Sequence, residues 1–328
     1  MSSDRVTVVE FDRFGGPEVL RVREVASAPP APGEVRIRHE AIGVDFVDVY
    51  FRTGLYAPPR MPAVLGVEGA GVVEAVGAGV TGFAPGDRVA HAGLPLGAWA
   101  SARNMAAERL VRLPDDVSFE TAAAAMLKGI TVHMLLARVH RVTAGQTVFV
   151  HAAAGGVGQL LVGWAKAAGA RTIGTVGSPE KAARARAAGL DHAIARGDDF
   201  VATVRELTDG RGVDHAIDGI GGSTLARTLS IVAPFGTISS IGQVAGAIPP
   251  IAVEELGPRR SITLARPSVL AHLADPGRLA ASARALFEFL RDHRPEIVIG
   301  ERHSLADAAT AMRRLESGET VGALILTP

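Results

Sequence analysis

The chain contains no cysteine among its 328 residues. This absence excludes disulfide bonds, thiolate nucleophiles and every metal site that uses a thiolate ligand. An excess of charge of one sign is also absent, because 34 basic side chains balance 34 acidic ones. The protein therefore has no overall electrostatic attraction to nucleic acid or to an anionic lipid surface. We expect neither of these as a partner.

The start of the chain lacks the apolar core of a secretory signal. The segment "MSSDRVTVVEF" carries a charge as early as Asp4, whereas a signal peptide needs an uninterrupted apolar stretch. Two long uncharged runs, residues 147–165 and 228–253, contain glycine and proline residues that a membrane-spanning helix does not carry at such density. We therefore expect a cytoplasmic protein without a membrane span.

From about residue 143 to 265, short apolar runs alternate with helical stretches. The spacing of about 30 residues is typical of βαβ units, in which buried parallel strands alternate with crossover helices. The pattern predicts helices over 181–189 and 199–208, and strands over 147–151, 171–176, 191–194, 213–218, 236–242 and 261–266. Right-handed crossovers would join these six strands into one doubly wound parallel sheet, which makes this an α/β protein.

The remainder of the chain has a different pattern. Residues 5–115 alternate apolar and polar positions between proline and glycine breaks, which favours an antiparallel, partly barrel-like domain. The tail predicts helices near 278–293 and 304–317, followed by the terminal strand "GALILTP", and we expect it to return to the first domain. The predicted domains are residues 1–122 with 267–328, and residues 123–266.

A run of small residues joins the first parallel strand to the next helix. In "VFVHAAAGGVG" the spacing of Ala153, Gly155 and Gly158 is that of the GxGxxG dinucleotide fingerprint with alanine at its first position. In that fingerprint the small residues allow a tight turn, a close approach of the diphosphate and close packing of helix on strand. The positive end of the helix would face the phosphates. The sequence predicts a dinucleotide site formed by Ala154, Gly155, Gly156, Val157 and Gly158.

Several ordered motifs resemble one enzyme family. These are "FGGPEVL" (14–20), "GVEGAGVVEAVGAGV" with "GDRV" (66–80, 86–89), "LKGITVHMLL" (127–136), "HAAAGGVG" (151–158) and "ARPS" (265–268). In this combination they resemble the medium-chain dehydrogenases/reductases, and within them the zinc-free NADPH:quinone oxidoreductases related to zeta-crystallin. The resemblance implies a Rossmann domain, a GroES-like β-barrel catalytic domain, a substrate in the cleft between them, and a homodimer.

The sequence does not support a catalytic zinc site. Zinc-dependent members of the resembled family have histidine in a "GHE" motif where this chain has Val67, and they also use cysteine as a ligand. Valine cannot bind a metal, and the chain has no cysteine to complete a tetrahedral site. We therefore predict no metal.

The end of the second parallel strand bears on the choice of nicotinamide. NAD sites usually carry an acidic residue there, but the resemblance places Val176 at that position. It also implies that Gly177, Ser178, Lys181 and Arg196 hold the 2′-phosphate of NADPH. Glu180, a few residues downstream, is the observation against this prediction.

The resemblance assigns further residues to the cofactor and the acceptor. Both tyrosines of the chain, Tyr50 and Tyr56, lie in "VDFVDVYFRTGLY" (44–56), a segment that it places against the nicotinamide, with the tyrosines as catalytic contacts. It places Thr131 near the nicotinamide ribose. The other cofactor contacts that it implies are Phe46, Ile220, Ile241, Gly242, Gln243 and Arg266.

Asp45 departs from the asparagine that the resembled family typically has, and we count it among the catalytic residues. An ionised aspartate only accepts hydrogen bonds, whereas asparagine also donates them. Three interpretations stay open: Asp45 pairs with a cation such as Arg266, binds a ribose hydroxyl, or has its pKa raised by burial.

We predict an NADPH:quinone oxidoreductase. Two alternatives remain. The first is a reductase of activated alkenes such as enones, α,β-unsaturated acids or thioesters, since these need the same geometry for hydride transfer. The second is a cofactor-bound protein with little turnover, as in crystallins or RNA-binding relatives.

Overall fold

The computed structural model describes residues 5–258 and 260–328 of the chain. The first four residues, on which the expectation about the N-terminal segment partly depends, lie outside the described residues. The chain divides into two compact units. The first contains the chain up to Ile130 together with Leu270–Arg291 and Ile297–Pro328, and the second contains Thr131–Val269 and Asp292–Glu296. The domain boundaries expected at residues 122 and 266 remain predictions.

The strands and helices are numbered here in chain order. The strands of the described residues are β1 Arg5–Phe11, β2 Arg21–Ala26, β3 Glu34–Val44, β4 Ala63–Val64, β5 Glu68–Val76, β6 Arg88–Ala92, β7 Ala102–Ala106, β8 Val111–Arg112, β9 Thr147–Val150, β10 Arg171–Val176, β11 His192–Ala195, β12 Val213–Asp218, β13 Val232–Ser240, β14 Thr263–Ala265, β15 Ile299–Ser304 and β16 Ala323–Thr327. The helices are α1 Phe46–Thr53, α2 Phe119–Met134, α3 Gly156–Ala167, α4 Pro179–Ala187, α5 Phe200–Leu207, α6 Thr224–Leu229, α7 Val269–Leu273, α8 Pro276–His293 and α9 Ala308–Ser317.

The second unit contains the predicted parallel sheet. Its strands lie in the order β11-β10-β9-β12-β13-β14, and every neighbouring pair is parallel. The first strand of this sheet, β9, lies in its middle, and the later strands are added first toward one edge and then toward the other. Because all six strands are parallel, their carboxyl ends lie at the same edge of the sheet. Phe149, Ile173 and Ile238 are almost fully buried against the apolar faces of the helices. The prediction of a doubly wound α/β sheet is confirmed.

The first unit is built mainly from antiparallel strands. A three-stranded sheet has the order β2-β1-β4, and a larger sheet has the order β15-β16-β3-β5-β6-β8, with β7 also pairing with β3. The terminal strand β16 pairs with β3 as expected, with Leu324 opposite Val44. Strand β15 is not among the predicted strands, because Glu301 and His303 occupy its half-buried positions and it therefore shows no apolar alternation. It pairs in parallel with β16.

One helix of the described residues is long and apolar enough, by length and composition alone, to cross a membrane. It comprises α2 and its π-helical continuation Leu135–Val139. Within its most apolar stretch of 18 residues, 78% is buried inside the protein. A run of alanine residues, Ala122–Ala125, packs in the interior. This burial is that of a core helix of a folded protein.

Candidate functional site

The alanine-glycine segment forms a tight turn at the carboxyl end of β9. Ala152 has a φ of 51°, in the left-handed region that alanine rarely adopts, and its carbonyl oxygen accepts a hydrogen bond from Gly155 N at 2.8 Å. Helix α3 then begins at Gly156. A Cβ atom on Gly158 would overlap the carbonyl oxygen of Ala152, so only glycine lets the helix approach the strand this closely. The N–H groups of the first helical turn have no intrahelical partner and form an anion-binding surface.

The neighbouring strand β10 holds this turn in place. Ala153 N donates to the carbonyl oxygen of Thr175 at 2.9 Å, and Ala152 N donates to the Thr175 hydroxyl at 3.3 Å. Gly174 makes room for the turn, because a Cβ atom there would lie 2.7 Å from the Cβ of Ala153. The strained φ of Ala152 is therefore stabilised by hydrogen bonds to the next strand.

The end of β10 carries no carboxylate. Val176 is buried, and its carbonyl oxygen accepts a hydrogen bond from Arg196 N at 2.8 Å, which places Arg196 directly beside the strand end. The Arg196 side chain is exposed and has no ion pair within residues 5–258 and 260–328. The carboxylate of Glu180 lies 3.5 Å from Arg184 on the surface of α4. Glu180, the acidic residue that argued against a phosphate site here, therefore pairs with Arg184 and does not lie at the strand end.

Helix α4 begins at the same strand end. The hydroxyl of Ser178 accepts a hydrogen bond from Lys181 N at 3.2 Å and caps the helix, because the first N–H groups of a helix lack partners within it. A Cβ atom on Gly177 would meet only the Lys181 side chain, at 3.8 Å. The structure thus brings Gly177, Ser178, Lys181 and Arg196 to one end of the sheet, and their role in binding a 2′-phosphate stays a prediction.

Two loops after β12 and β13 pack backbone against backbone. A Cβ atom on Gly242 would lie 2.6 Å from the carbonyl oxygen of Gly219, and Ile241 N donates to the carbonyl oxygen of Asp218 at 2.8 Å. Ala245 N donates to the carbonyl oxygen of Ile220 at 2.9 Å. Because both loops follow strand carboxyl ends, they extend the edge of the sheet at which the turn after β9 lies.

Arg266 follows β14 at this edge. Its guanidinium donates to the Ser240 hydroxyl at 2.7 Å and to Gln243 Oε1 at 2.9 Å. Neither partner is charged, and in the described part of the chain no carboxylate pairs with this guanidinium. The positive charge of Arg266 is therefore not compensated by a carboxylate.

A buried hydrogen-bond network connects the two halves of this edge. His151 contacts the Thr175 hydroxyl through Nδ1 at 3.0 Å and the Thr228 hydroxyl through Nε2 at 2.8 Å. Thr228 donates in turn to Asp218 Oδ2 at 2.8 Å, and Asp218 Oδ1 accepts the N–H of Ile220 at 2.8 Å. Burial lowers the pKa of His151 to about 4, so the imidazole is neutral at pH 7. The sequence analysis missed this network, since only His151 stands near a motif.

In the first unit, the predicted acceptor residues lie on α1 and directly after it. The rings of Tyr50 and Tyr56 lie 5.4 Å apart in an edge-to-face arrangement, and Tyr56 N donates to the carbonyl oxygen of Tyr50 at 3.0 Å. Phe46, the first residue of α1, is 37% exposed, and Tyr56 is 38% exposed. Gly54 ends the helix with a φ of 84°, which allows the chain to turn back toward Tyr50. Two aromatic rings with polar hydroxyls thus lie together at the protein surface.

Asp45 pairs with a lysine that the sequence analysis did not single out. Lys128 Nζ on α2 lies 2.6 Å from Asp45 Oδ1 and 3.0 Å from Glu68 Oε1. The other oxygen of Glu68 accepts a hydrogen bond from Leu127 N at 2.6 Å. Asp48 joins the group by accepting the Asp45 N–H at 2.9 Å. We call Asp45, Asp48, Glu68 and Lys128 the buried charge cluster.

The cluster is nearly free of solvent contact. Glu68 and Asp48 are fully buried, Asp45 is 7% exposed and Lys128 is 9% exposed. Burial raises the pKa of Glu68 well above its usual range, and the nearby charge of Asp45 raises it further. The same two causes raise the pKa of Asp48. Burial lowers the pKa of Lys128, but the Asp45 and Glu68 carboxylates raise it by more, so the ammonium form persists.

These contacts correct one interpretation of Asp45. The cation that it meets is Lys128 and not Arg266, which is satisfied by Ser240 and Gln243. The sequence does contain a feature that indicates the cluster. Lys128 stands alone in the apolar run "AAAAMLKGIT", and lysine is rarely buried without a partner. Thr131, three residues further on, lies in the same helix α2 and is half-buried.

Within the described residues, no group of three histidine, aspartate or glutamate side chains is placed to hold a metal ion. Two buried histidines, His39 and His91, do meet, with Nε2 atoms 2.9 Å apart. Burial lowers the pKa of His39 to about 4, and the two neutral rings share a hydrogen bond.

Two family models match the chain. The model described as alcohol dehydrogenase GroES-like domain matches residues 31–115, and the one described as zinc-binding dehydrogenase matches residues 156–275. A quinone oxidoreductase of Pseudomonas aeruginosa is 44% identical over 98% of this chain and 99% of its own length. A 2-haloacrylate reductase of Burkholderia sp is 39% identical over 98% and 99%. The crystal structure of an Escherichia coli quinone oxidoreductase complexed with NADPH has a TM-score of 0.94 at 38% identity and covers 98% of this chain and 100% of that one.

Proposed function

Because the chain belongs to the quinone oxidoreductase branch of the medium-chain dehydrogenase/reductase superfamily, we propose that it is an NADPH-dependent quinone reductase. When bound, the nicotinamide supplies a hydride. The protein binds and orients the cofactor and the acceptor, and no zinc ion takes part. The similar proteins named quinone oxidoreductase, one of them crystallised with NADPH, support this proposal.

The geometry after β9 fits a dinucleotide. The turn at Ala152 and the absence of a side chain at Gly155 and Gly158 leave backbone N–H groups at the start of α3 accessible to a diphosphate. In this proposal Ala154, Gly156 and Val157 complete the cradle. The loop residues Ile220, Ile241, Gly242 and Gln243, together with Thr131 and Phe46, contact the nicotinamide half.

The choice of NADPH over NADH is carried by the residues at the end of β10, where an exposed arginine lies and a carboxylate is absent. Arg196 lies beside Val176 with its guanidinium exposed and without an ion pair in the described residues. A 2′-phosphate would gain charge-assisted hydrogen bonds from Arg196 and Lys181, and no carboxylate at the end of β10 would repel it. Gly177 and Ser178 would complete this phosphate site. Arg266 offers a further cation to the cofactor.

Tyr50 and Tyr56 are proposed to position the acceptor. Their paired rings offer a flat apolar surface for a quinone, and their hydroxyls can donate to its carbonyl oxygens, where negative charge develops during reduction. Asp45 lies just before the same helix and is proposed to act on the acceptor as well.

A second candidate function is the reduction of activated alkenes. The similarity to a 2-haloacrylate reductase favours it. Hydride transfer to the β-carbon of such an acceptor needs a positioned acid for the α-carbon, and the buried charge cluster contains ionisable groups next to α1.

The deciding experiment follows NADPH oxidation against quinones, enones, unsaturated acids and enoyl thioesters, with NADH as the comparison. We expect quinone turnover with NADPH at a kcat/KM at least about tenfold above that with NADH. Tight NADPH binding without turnover of any acceptor would contradict an enzymatic role and favour the cofactor-bound, non-catalytic alternative.

We further propose a cytoplasmic homodimer that binds a small-molecule acceptor. β14 is an edge strand of the six-stranded sheet, and a free edge can pair with that of a second copy. Sedimentation of the purified protein tests the dimer, and fractionation of cells that express it tests the compartment. A monomer at all concentrations, or recovery with the membranes, would contradict these assignments.

A further inference from the structure

Three buried carboxyl groups face a single ammonium group in the first unit. The groups that face Asp45 are Asp48 on α1, Glu68 on β5 and Lys128 on α2. If all three carboxyl groups were ionised, the cluster would carry a net charge of −2, since three negative charges would meet one positive charge. Uncompensated charge is very costly in a buried site, and carboxyl groups avoid this cost by retaining protons.

The hydrogen bonds indicate where such a proton lies. Asp45 Oδ1 is bound to Lys128, whereas Asp45 Oδ2 is buried and has no hydrogen-bond partner in the described chain. Both oxygens of Glu68 already accept hydrogen bonds, from Leu127 N and from Lys128 Nζ. Glu68 and Asp45 are close enough for a hydrogen bond between their side chains. A proton on Glu68 can be shared with Asp45. Burial raises the pKa of Asp48 as well, and with a proton also on Asp48 the cluster is left with one neutral pair, Lys128 and Asp45.

We propose that Asp45 causes Glu68 to retain a proton at neutral pH, and that Asp45 passes this proton to the reduced acceptor. Asp45 is suited to the transfer because it is 7% exposed while Glu68 is fully buried. Asp45 also immediately precedes α1, the helix that carries Tyr50. This inference depends on the proposed function, since it assigns the proton that completes the reduction.

The step balances for an activated alkene. The hydride supplied by NADPH, which would leave as NADP⁺, would add to the β-carbon, break the carbon–carbon π bond and leave an enolate. The proton of Glu68 moves to the Asp45 carboxylate, and Asp45 then donates this proton to the α-carbon, where a C–H bond forms. Asp45 is again a carboxylate paired with Lys128, and Glu68 is left ionised. Solvent then returns one proton to Glu68. A quinone differs, because its reduced oxyanion exchanges protons with water directly and needs a positioned acid far less.

Removal of the Asp45 charge should therefore change the protonation state of Glu68, although Glu68 itself is not mutated. With asparagine at position 45, Lys128 is left with Glu68 as its ion-pair partner, and the pair is neutral only when Glu68 is ionised. Asp45→Asn thus removes the proton from Glu68. If Asp45 were only a packing residue, its substitution would leave Glu68 as it is.

Infrared spectroscopy of the cofactor-free protein tests where the proton lies. The carbonyl stretch of a protonated buried carboxyl group is expected in the wild type, and Glu68→Gln identifies the band that belongs to Glu68. We expect Asp45→Asn to abolish that same band at pH 7, while Asp12→Asn, at an exposed carboxylate elsewhere in the first unit, leaves it unchanged. Retention of the Glu68 band in Asp45→Asn, or its absence from the wild type, would overturn the proposal.

Kinetics test the delivery of the proton. We expect Asp45→Asn to lower kcat with an enone by about 10²-fold, because protonation of carbon needs a positioned donor, whereas Asp12→Asn should leave kcat with the enone unchanged. The solvent isotope effect on enone reduction should change in the same variant. Unchanged enone turnover would overturn the delivery step. If the wild type turns over no acceptor, the proposed function has failed, and the infrared bands still decide whether Asp45 holds the proton on Glu68.

Discussion

A side chain at Gly158 would collide with the carbonyl oxygen of Ala152. The contact joins the first turn of α3 to the turn after β9, and it explains why the third small residue of the fingerprint is glycine here. A Cβ atom would push the helix away from the strand or force Ala152 out of its left-handed conformation.

Gly158→Ala should therefore weaken both folding and cofactor binding. We expect a loss of about 1–3 kcal/mol in the free energy of unfolding, the usual cost of overpacking a tight contact. Thermal unfolding and a fluorescence titration with NADPH measure the two effects. Gly82→Ala is the matched control, because a Cβ atom there meets no atom within 4 Å. Equal behaviour of the two variants would show that the close approach is unimportant.

Arg196→Gln should reduce the preference for NADPH over NADH. A charge-assisted hydrogen bond to a phosphate contributes about 1.5–3 kcal/mol, and solvent screening at an exposed site leaves an expected rise of about tenfold in the KM for NADPH. The KM for NADH should hardly change. Arg186→Gln is the control, since Arg186 is an exposed arginine in the last turn of α4. A parallel loss with both cofactors would argue that Arg196 acts on the fold and not on the phosphate.

The ion pair between Arg52 and Glu316 should contribute to the stability of the first unit. Arg52 is 1% exposed, and its Nη2 lies 2.7 Å from Glu316 Oε1. Glu316→Gln leaves a buried guanidinium without its counter-charge, so we expect a loss of about 2–3 kcal/mol, less than for a fully buried pair because Glu316 is partly exposed. Urea unfolding measures it. Arg52→Met should be milder in the Glu316→Gln background than alone, and strictly additive losses would contradict the coupling.

Buried neutral histidines should make the protein sensitive to acid. Burial lowers the pKa of His151 from 6.5 to about 4, so the unfolded chain binds a proton in this interval that the folded chain refuses. The resulting stability is present above pH 6.5 and is lost as the pH falls through the folded pKa. Glu68 and Asp48 act in the opposite sense, because their raised pKa values let the folded chain retain protons.

His151→Gln should make the free energy of unfolding fall less steeply as the pH is lowered from 6.5 to 4. One histidine contributes at most about 1.4 kcal/mol per pH unit to the slope of the free energy of unfolding. Urea unfolding at several pH values between 4 and 6.5 tests the slope. His293→Gln, at an exposed histidine, should leave the slope unchanged. The same slope in wild type and His151→Gln would mean that folding does not lower the pKa of His151.

The alternating pattern and the small-residue turn predicted the parallel sheet and the turn at Ala152, because buried strands and tight turns impose strong local constraints on residue type. The partners of Asp45 could not be predicted in this way. Lys128 and Glu68 are separated by 60 residues along the chain, and only the packing of α2 beside β5 brings them together. The nearest cation suggested by sequence, Arg266, proved to be bound by two uncharged side chains of its own unit.

A calorimetric titration with NADPH and NADH, side by side, tests the central claim most directly. The account predicts that NADPH binds at one site per chain and at least about tenfold more tightly than NADH, and that Arg196→Gln removes most of this difference. Equal affinities for the two cofactors, or no heat of binding with NADPH, would contradict it.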